Sequence, residues 1–568
     1  MPPSSRPMLE SLEDRTLLAA SLTATLKDGV LHITGTEQGD TIQVRLNMGR
    51  YQVVGLADIF SVKQVARIEV DALGGDDVVN LGPWHPLLPG GGAVAIPTVV
   101  RGGTGVDQLI GGTNRDLLFG EDGKDTLRGG LGPDFLDGGL KDDSLDGGSG
   151  NDILFGDDGN DTLIGGIGSD SGAGGTGINR IVLDPSFTGK TDRIVAGAGW
   201  FDTNVADLAL RSLSRYLQSD RALTRSDALT LFDQVGADDA VSGDELAGWR
   251  ALVGAGAILG MPDPVRVLAG KVVNPHAANA VFTGGAATTQ PLGDLQAGST
   301  DAHLQRLVDK WFRGLDRPTF TEEATEYRSF SGQLFQAGAS MLDVAQGRLG
   351  DCYFLAGLAG VARKRPALIT GMFTDNLDGT FTVRFFHNGV ADYVTVDRSL
   401  PVDANGRLVY ASKGRRYDDS TNELWAALAE KAYAQLNEAG WLNRPTGKNG
   451  VNTYAAIETG GGLTAIEQQT GRTPTRVALN TITVQQVRTA LASGDVVEVG
   501  GEGHVYVVLS LSSDGSRVQV FNPWHRDAMH DPGLAFTAIA DNDGIVEVSW
   551  AVFTGGVMAE SMIRTSLA

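Results

Sequence analysis

A chain with a single cysteine has no disulfide partner for that thiol within itself, which leaves packing, reactivity or chance as its role. The cysteine here is Cys352, in the string QGRLGDCYFLAGLAGVARK from Gln346 to Lys364. Gly350 and Asp351 suit the start of a helix and the apolar run after Cys352 suits a buried one, which predicts a thiol at a helix N-terminus. The helix dipole there favours thiolate over thiol. Gln346 can fold back so that its side-chain NH2 and the Cys352 backbone N–H point at one place, an oxyanion hole worth roughly 100-fold to 1000-fold in rate. A thiolate also needs a group that accepts and returns a proton, and histidine does both near neutral pH. Among the eight histidines, His504 lies in GEGHVYVVLSL, a glycine-rich turn running into an apolar strand. Further on, VQVFNPW ends a second strand with Asn522 and Trp524. Two adjacent antiparallel strands would bring these residues side by side.

Between those motifs lies TNELWAALAEKAYAQLNEAGWL, Thr421 to Leu442, whose Leu424, Ala427, Leu428, Lys431 and Ala432 recur at helix-neighbour spacing, as a scaffold helix requires. The four strings, in this order, resemble the calpain family of cysteine proteases, with its Q-G-x-L-G-D-C, E-F-W-x-A-L-L-E-K-A-Y-A-K, G-H-x-Y and N-P-W motifs. The resemblance runs from Phe330 to the C-terminus, with Tyr353 where calpains carry Trp. It implies an α+β, papain-like, two-lobed protease core over residues 301–568, with a cleft between the cysteine-helix lobe and the His/Asn sheet lobe. It also implies roles: Cys352 attacks the peptide carbonyl, Gln346 stabilises the oxyanion, His504 moves the proton, Asn522 orients the imidazole through its amide oxygen, and Trp524 shields that bond from water. By offset from the same motifs, Gly338, Asp343 and Glu423 match a calpain calcium site. A second calpain calcium site follows N-P-W, and there Ala528 and Ala535 stand where acidic residues are expected.

From Gly102 the chain falls into unbroken nine-residue units: GGTGVDQLI, GGTNRDLLF, GEDGKDTLR, GGLGPDFLD, GGLKDDSLD, GGSGNDILF, GDDGNDTLI, GGIGSDSGA and a fading GGTGINRIV. This resembles the RTX-type nonapeptide G-G-x-G-x-D-x-U-x, which builds a parallel β-roll. Glycines permit tight turns, and the sixth-position carboxylates Asp107, Asp116, Asp125, Asp134, Asp143, Asp152, Asp161 and Asp170 stack into columns that repel unless Ca2+ neutralises them. Leu109, Leu118, Leu127, Leu136, Leu145, Leu154 and Leu163, at position eight, form a thin core. The expectation is a segment, 102–182, that folds when calcium binds.

The rest of the chain is less specific. Residues 21–101 alternate apolar and polar residues between Gly/Asp turns and predict a small β-rich unit that caps or precedes the roll, with GGDDVVNL one irregular turn of it. Residues 183–261 read as helical. Within them ADDAVSGDELAGW, closed by Glu245, imitates an EF-hand loop, but Gln234 and Gly236 fall where its first ligands should be, which favours a plain helix-loop-helix. Residues 262–300 read as a linker. Residues 1–20 resemble the N-terminal segment of exported planctomycete proteins, an export-linked tag.

A formal charge of -23, without a basic cluster, disfavours nucleic acid and anionic lipid as partners, and no apolar run is long enough for a transmembrane span. The whole reads as a multidomain chain: an all-β roll, a helical middle and a protease core. It acts on protein or peptide substrates, takes Ca2+ as its ion, and works outside the cell, with the cytoplasm as the alternative. The rival reading is a non-enzymatic, secreted calcium-binding surface or matrix protein with a degenerate protease lobe. Acyl transfer from the same thioester to an amine is a third.

Overall fold

The computed structural model describes residues 22–27, 29–82, 92–182, 193–194, 201, 204–217, 222–235, 240–285, 289–412, 415–442, 444, 447–478, 481–501, 504–524, 536–538, 543–554 and 561–567. The N-terminal tag, Gly236, Ala528 and Ala535 lie outside them. The chain divides into two compact units, Met1–Ser219 and Asp220–Ala568.

The first unit is built from a nine-residue period. One turn and one short strand use up nine residues, so consecutive units land on opposite sheets and each strand pairs with the one eighteen residues away. In one sheet Leu118 pairs with Leu136 and Leu136 with Leu154, all parallel. In the other, Leu109, Leu127, Leu145 and Leu163 are successive partners. Each of these leucines is fully buried and together they form one core.

That core does not stop at residue 101. Val30–Thr36 and Arg67–Leu73 continue the first sheet, and Thr41–Asn47 and Val78–Asn80 continue the second. Ile33, Ile42, Val70 and Val79 join the same core as the repeat leucines. The strands between residues 30 and 80 therefore share both sheets with the roll, because their apolar alternation matches its inward-facing positions.

Helix Leu208–Leu217 belongs to this unit and places two arginines on buried roll aspartates. Arg215 Nη1 lies 2.6 Å from Asp157 Oδ1 and Arg211 Nη2 3.1 Å from Asp157 Oδ2. The Arg215 guanidinium also stacks 4.5 Å over the Phe155 ring, a pairing that brings its own cation to the carboxylate.

In the second unit, helices Arg225–Val235 and Gly243–Gly254 stack Phe232 on Trp249 with ring centroids 4.0 Å apart. The EF-hand-like Glu245 is occupied in a capping box: its carboxylate accepts the Ser242 N–H at 2.6 Å while Ser242 Oγ accepts the Glu245 N–H. Its position in the loop is thus explained by helix initiation.

The stretch read as a linker is structured. Asp263–Val273 is a helix that buries Val265, Leu268, Ala269, Val272 and Val273, and Asp301–Trp311 follows as another. The Pro and Gly spacing hid an apolar face begun by Pro264 in the first helical turn, where proline is well tolerated. Lys271 from this helix sits 2.5 Å from Asp392.

The remainder forms two lobes. Helix Cys352–Lys364 is buried from Cys352 through Ala362, flanked by the fully buried helix Trp425–Leu436 and the sheet Phe373–Asp375, Thr380–His387, Val390–Asp397. Opposite stands a seven-stranded sheet in which Val496–Gly501, His504–Leu511 and Arg517–Phe521 are antiparallel neighbours. Val507, Leu509 and Phe521 on one face pack with the cysteine helix, while Tyr506, Val508, Val518 and Val520 on the other pack into a separate core. Among the described residues no helix is long and apolar enough to cross a membrane.

Candidate active site

The cysteine helix packs closely on the sheet that carries the histidine strand, and on the helix Gly462–Thr470, because it has glycine at both contacts. A Cβ on Gly360 would come within 2.5 Å of the Val496 side chain, and one on Gly357 within 2.4 Å of the Gln469 side chain. Arg363 fastens the far end by donating to the Leu509 carbonyl at 2.9 Å. The helix starts at Cys352, as the sequence predicts. Its thiol lies against the backbone N–H of Val505, the residue after His504.

His504 is 3 % exposed and its Nε2 lies 2.9 Å from Asn522 Oδ1. The partner strands at His504–Leu511 and Arg517–Phe521 hold the two side chains in register, with Val507 opposite Phe521. Asn522 Oδ1 also accepts the Trp524 backbone N–H at 3.0 Å, and the Trp524 ring lies 4.6 Å from the imidazole, tilted by 46°. A ring so placed excludes water from the His–Asn bond and strengthens it. Tyr506 meets the imidazole edge-on, also with centroids 4.6 Å apart. Because Nε2 faces an acceptor, it carries the ring proton in the neutral imidazole and Nδ1 is the basic nitrogen.

Gln346 is buried beside this group, and its backbone N–H donates to the Pro523 carbonyl at 2.7 Å. Its side-chain Nε2 donates to the Leu349 carbonyl at 2.5 Å, which uses one of the two amide hydrogens.

The electrostatics differ from the helix-dipole expectation. Burial pushes the Cys352 thiol up to about 12, outweighing the N–H groups of Val505 and Tyr353, and the neighbouring Asp351 adds to the rise. The thiol is 5 % exposed, so the loss of water dominates the dipole. Asp351 itself is fully buried, and burial raises it to about 7 despite its contact with the equally buried Glu430, whose carboxyl is raised well above its ordinary value. Two carboxyls in contact out of water retain a proton between them. Sequence reading missed this pair, although both residues stand inside the quoted motifs, because one reads as a helix start and the other as a scaffold position.

The residues matched to a calpain calcium site are brought together in part. Asp343 Oδ2 accepts the Ser340 N–H at 2.7 Å and the Trp425 Nε1–H at 3.0 Å, and Glu423 Oε1 accepts the Gln336 N–H at 3.0 Å. Burial, and then the nearby Asp343 charge, raise Glu423. Gly338 lies between Gln336 and Ser340 in the same loop, with φ +90°. Asp343 and Glu423 thus feel each other's charge, and carboxylate oxygens are the donors a hard cation takes.

In the roll, the sixth-position aspartates form two columns. Asp107 N–H donates to Asp125 Oδ1, Asp125 to Asp143 and Asp143 to Asp161, at 2.8–2.9 Å. Asp116, Asp134, Asp152 and Asp170 repeat the pattern on the other edge. Each bond occupies Oδ1. Oδ2 of Asp107, Asp125, Asp134, Asp143, Asp152 and Asp161 is buried without a hydrogen-bond partner. A Cβ on the first glycine of these units would sit only 2.4–2.6 Å from that oxygen, so glycine keeps open a cradle facing it. Burial raises these carboxyls, Asp134 to about 9 and Asp143 to about 8, with neighbouring column aspartates adding to the rise. An orphaned anionic oxygen in an open, oxygen-lined cradle fits Ca2+. Asp116 differs, because its Oδ2 accepts the Gly112 N–H at 2.6 Å and its Oδ1 the Thr98 hydroxyl at 2.7 Å.

Comparison with known proteins agrees with both regions. Residues 316–526 match the calpain family cysteine protease domain, and residues 101–136 and 137–172 match the RTX calcium-binding nonapeptide repeat. The chain is 32 % identical over 210 residues to the calpain-type cysteine protease DEK1 of Arabidopsis thaliana, covering 34 % of this chain and 9 % of that protein. It is 29 % identical over 253 residues to the calpain-type cysteine protease ADL1 of Oryza sativa subsp. japonica, covering 39 % and 10 %. With calpain clp-4 of Caenorhabditis elegans it shares 41 % identity over 138 residues, 23 % of this chain and 18 % of the relative. The chain thus spans roughly a tenth to a fifth of the length of these relatives. It carries a calpain family cysteine protease domain at residues 316–526 and RTX calcium-binding nonapeptide repeats at 101–172.

Proposed function

We propose that the protease domain hydrolyses peptide bonds in protein substrates through Cys352, His504 and Asn522, under calcium control. The observation that carries this reading is the 2.9 Å bond between His504 Nε2 and Asn522 Oδ1, under the Trp524 ring, on the strand whose Val505 amide meets the Cys352 thiol.

The chemistry follows from that arrangement. His504 Nδ1 takes the Cys352 proton, and the thiolate adds to the scissile carbonyl carbon. The Cys352 N–H and the remaining Gln346 Nε2–H receive the oxyanion. As the C–N bond breaks, His504 gives its proton to the departing amine and a thioester remains. Water, deprotonated by His504, attacks the thioester; the C–S bond breaks and the proton returns to sulfur. Asn522 holds the imidazole in one tautomer throughout.

A thiol held near 12 by burial keeps the resting pair neutral, which suits a protease that is switched on rather than permanently armed. Calcium, when bound, supplies positive charge that relieves carboxylate repulsion; Gly338, Asp343 and Glu423 would hold it in the protease domain and the column aspartates in the roll. Casein cleavage by wild type and Cys352→Ala across a calcium titration tests the reading. Cleavage that rises with calcium and is lost in the variant supports it. A full-length wild type inert at every calcium concentration favours the non-enzymatic calcium-binding rival.

A further inference from the structure

The cation columns have ends, and the ends show how a turn is satisfied without an ion. At one end, Asn179 takes the aspartate position. Its Nδ2 donates to the Gly174 carbonyl at 2.8 Å and to the Thr176 carbonyl at 3.1 Å. A Cβ on Gly174 would meet that nitrogen at 2.6 Å, the same relation that the first glycines of the aspartate units have to Oδ2. The amide hydrogens therefore stand where the aspartate turns have an oxygen facing oxygens.

At the other end the ladder runs past the matched repeats. Asp77 N–H donates to Asp107 Oδ1 at 2.8 Å, and Asp40 N–H donates to Asp77 Oδ1 at 2.6 Å. Val79 pairs with Leu109 and Ile42 with Val79, both parallel. Asp77 and Asp40 are thus sixth residues of two further nonapeptides: 72–80, which overlaps the irregular turn GGDDVVNL seen in the sequence, and 35–43, which irregular spacing and lost glycines hid from sequence reading.

These two turns are of different kinds. In the Asp40 turn the second residue, Thr36, directs its N–H to Asp40 Oδ2 at 2.7 Å and its hydroxyl to the same atom at 2.9 Å. The carboxylate is satisfied by protein, as in the Asp116 turn. In the Asp77 turn the second residue, Leu73, has φ +77° and the fourth, Gly75, φ +102°. The adjacent ion-type unit has the same signs, Gly103 at +99° and Gly105 at +145°. The turns stack closely, a Cβ on Gly105 falling 2.0 Å from the Gly75 carbonyl oxygen. Left-handed backbone is unfavourable for a leucine, so its surroundings must hold it there. The flip at Leu73 removes the N–H that Asp40 receives: Asp77 is 1 % exposed and its Oδ2 has no hydrogen-bond partner.

We propose that the turn at residues 72–80 holds a calcium ion through Asp77, extending the cation column one turn beyond the matched repeats, while Asp40 and Asn179 close that column without ions. The proposal rests on the reading of the repeats as calcium turns. Carboxylate and backbone carbonyl oxygens are the donors such turns offer, and a hard divalent ion is the ligand they select.

The test is the number of calcium ions carried per full-length chain, counted by native mass spectrometry for wild type, Asp77→Asn and Asp40→Asn. Asp77→Asn should carry one ion fewer and Asp40→Asn the wild-type number; an undiminished count in Asp77→Asn overturns the proposal. Hydrogen exchange on the wild type gives an answer that does not depend on any variant folding. Calcium should slow exchange at residues 73–78 together with 102–172. Slowing confined to 102–172 overturns the Asp77 site alone, whereas a wild type that binds no calcium overturns the reading of the roll on which it rests.

Discussion

The protease unit and the roll both bury carboxylates, and they neutralise them in opposite ways. In the protease unit the cation is a side chain. Lys310, fully buried, pairs with Asp316 and lies 2.7 Å from Glu438; Lys431 pairs with Asp397, which also meets Arg317 at 2.5 Å. Lys431 and Arg317 hold Asp397 down to about 2 although it is largely out of water. Where no cation is supplied, as at Asp351 and Glu430, a proton stays on the pair. In the roll, among the described residues, Oδ2 of Asp107, Asp125, Asp134, Asp143, Asp152 and Asp161 meets no Lys or Arg donor. The lysines of the repeats, Lys124 and Lys141, pair instead with Asp142 and Asp122. These protease-unit carboxylates have encoded counter-ions; the column oxygens of the roll have none among the described residues.

That contrast predicts a regional response to calcium, and this is the largest effect expected. Chelation of the full-length chain should raise amide exchange across 102–172 by on the order of 100-fold for each ion that opening of the segment releases, the effect of an ion held at about 100 times its Kd, with helix Cys352–Lys364 little changed. Equal loosening of both regions would break the comparison. Next in size, Lys310→Met strands the buried Asp316 carboxylate, removes the donor to Glu438, which burial raises to about 8, and should cost about 3–5 kcal/mol in denaturant unfolding of the protease unit. A variant as stable as wild type would mean that Asp316 and Glu438 do not need the lysine.

The smallest effect concerns pH. Asp351 is raised from its ordinary 3.8 to about 7 in the folded chain, so its contribution to stability is complete below about 4, declines as pH rises and is gone once pH has passed about 7. Between pH 5 and 7 the protease unit should lose stability with a slope of up to about 1.4 kcal/mol per pH unit for each proton the Asp351–Glu430 pair retains. Glu430→Gln, which removes one carboxyl of the pair, should flatten that slope. An unaltered slope would place the titrating protons elsewhere.

Much of this was legible in the sequence because the signals were periodic or chemically constrained. The nine-residue phase of Gly, Asp and Leu dictates which strands pair, and the strings around Cys352, His504 and Asn522 dictate a helix start and two neighbouring strands. What escaped reading had no such phase. The helix Asp263–Val273 hides its apolar face among Pro and Gly, and in the turn at residues 35–43 Asp40 stands 37 residues from its neighbour Asp77 in the column, with Thr36 in place of the second glycine. The raised thiol of Cys352 escaped for another reason: a helix dipole follows from local sequence, whereas the desolvation that overrides it depends on the whole packed interface.

The proposed protease chemistry depends on an imidazole that activates the one thiol. An irreversible peptidyl inhibitor directed at cysteine, applied with calcium and followed by peptide mass mapping, measures this directly. Labelling of Cys352 in the wild type that disappears in His504→Ala is the predicted result. Equal labelling of both proteins, or none in the folded wild type, would contradict it.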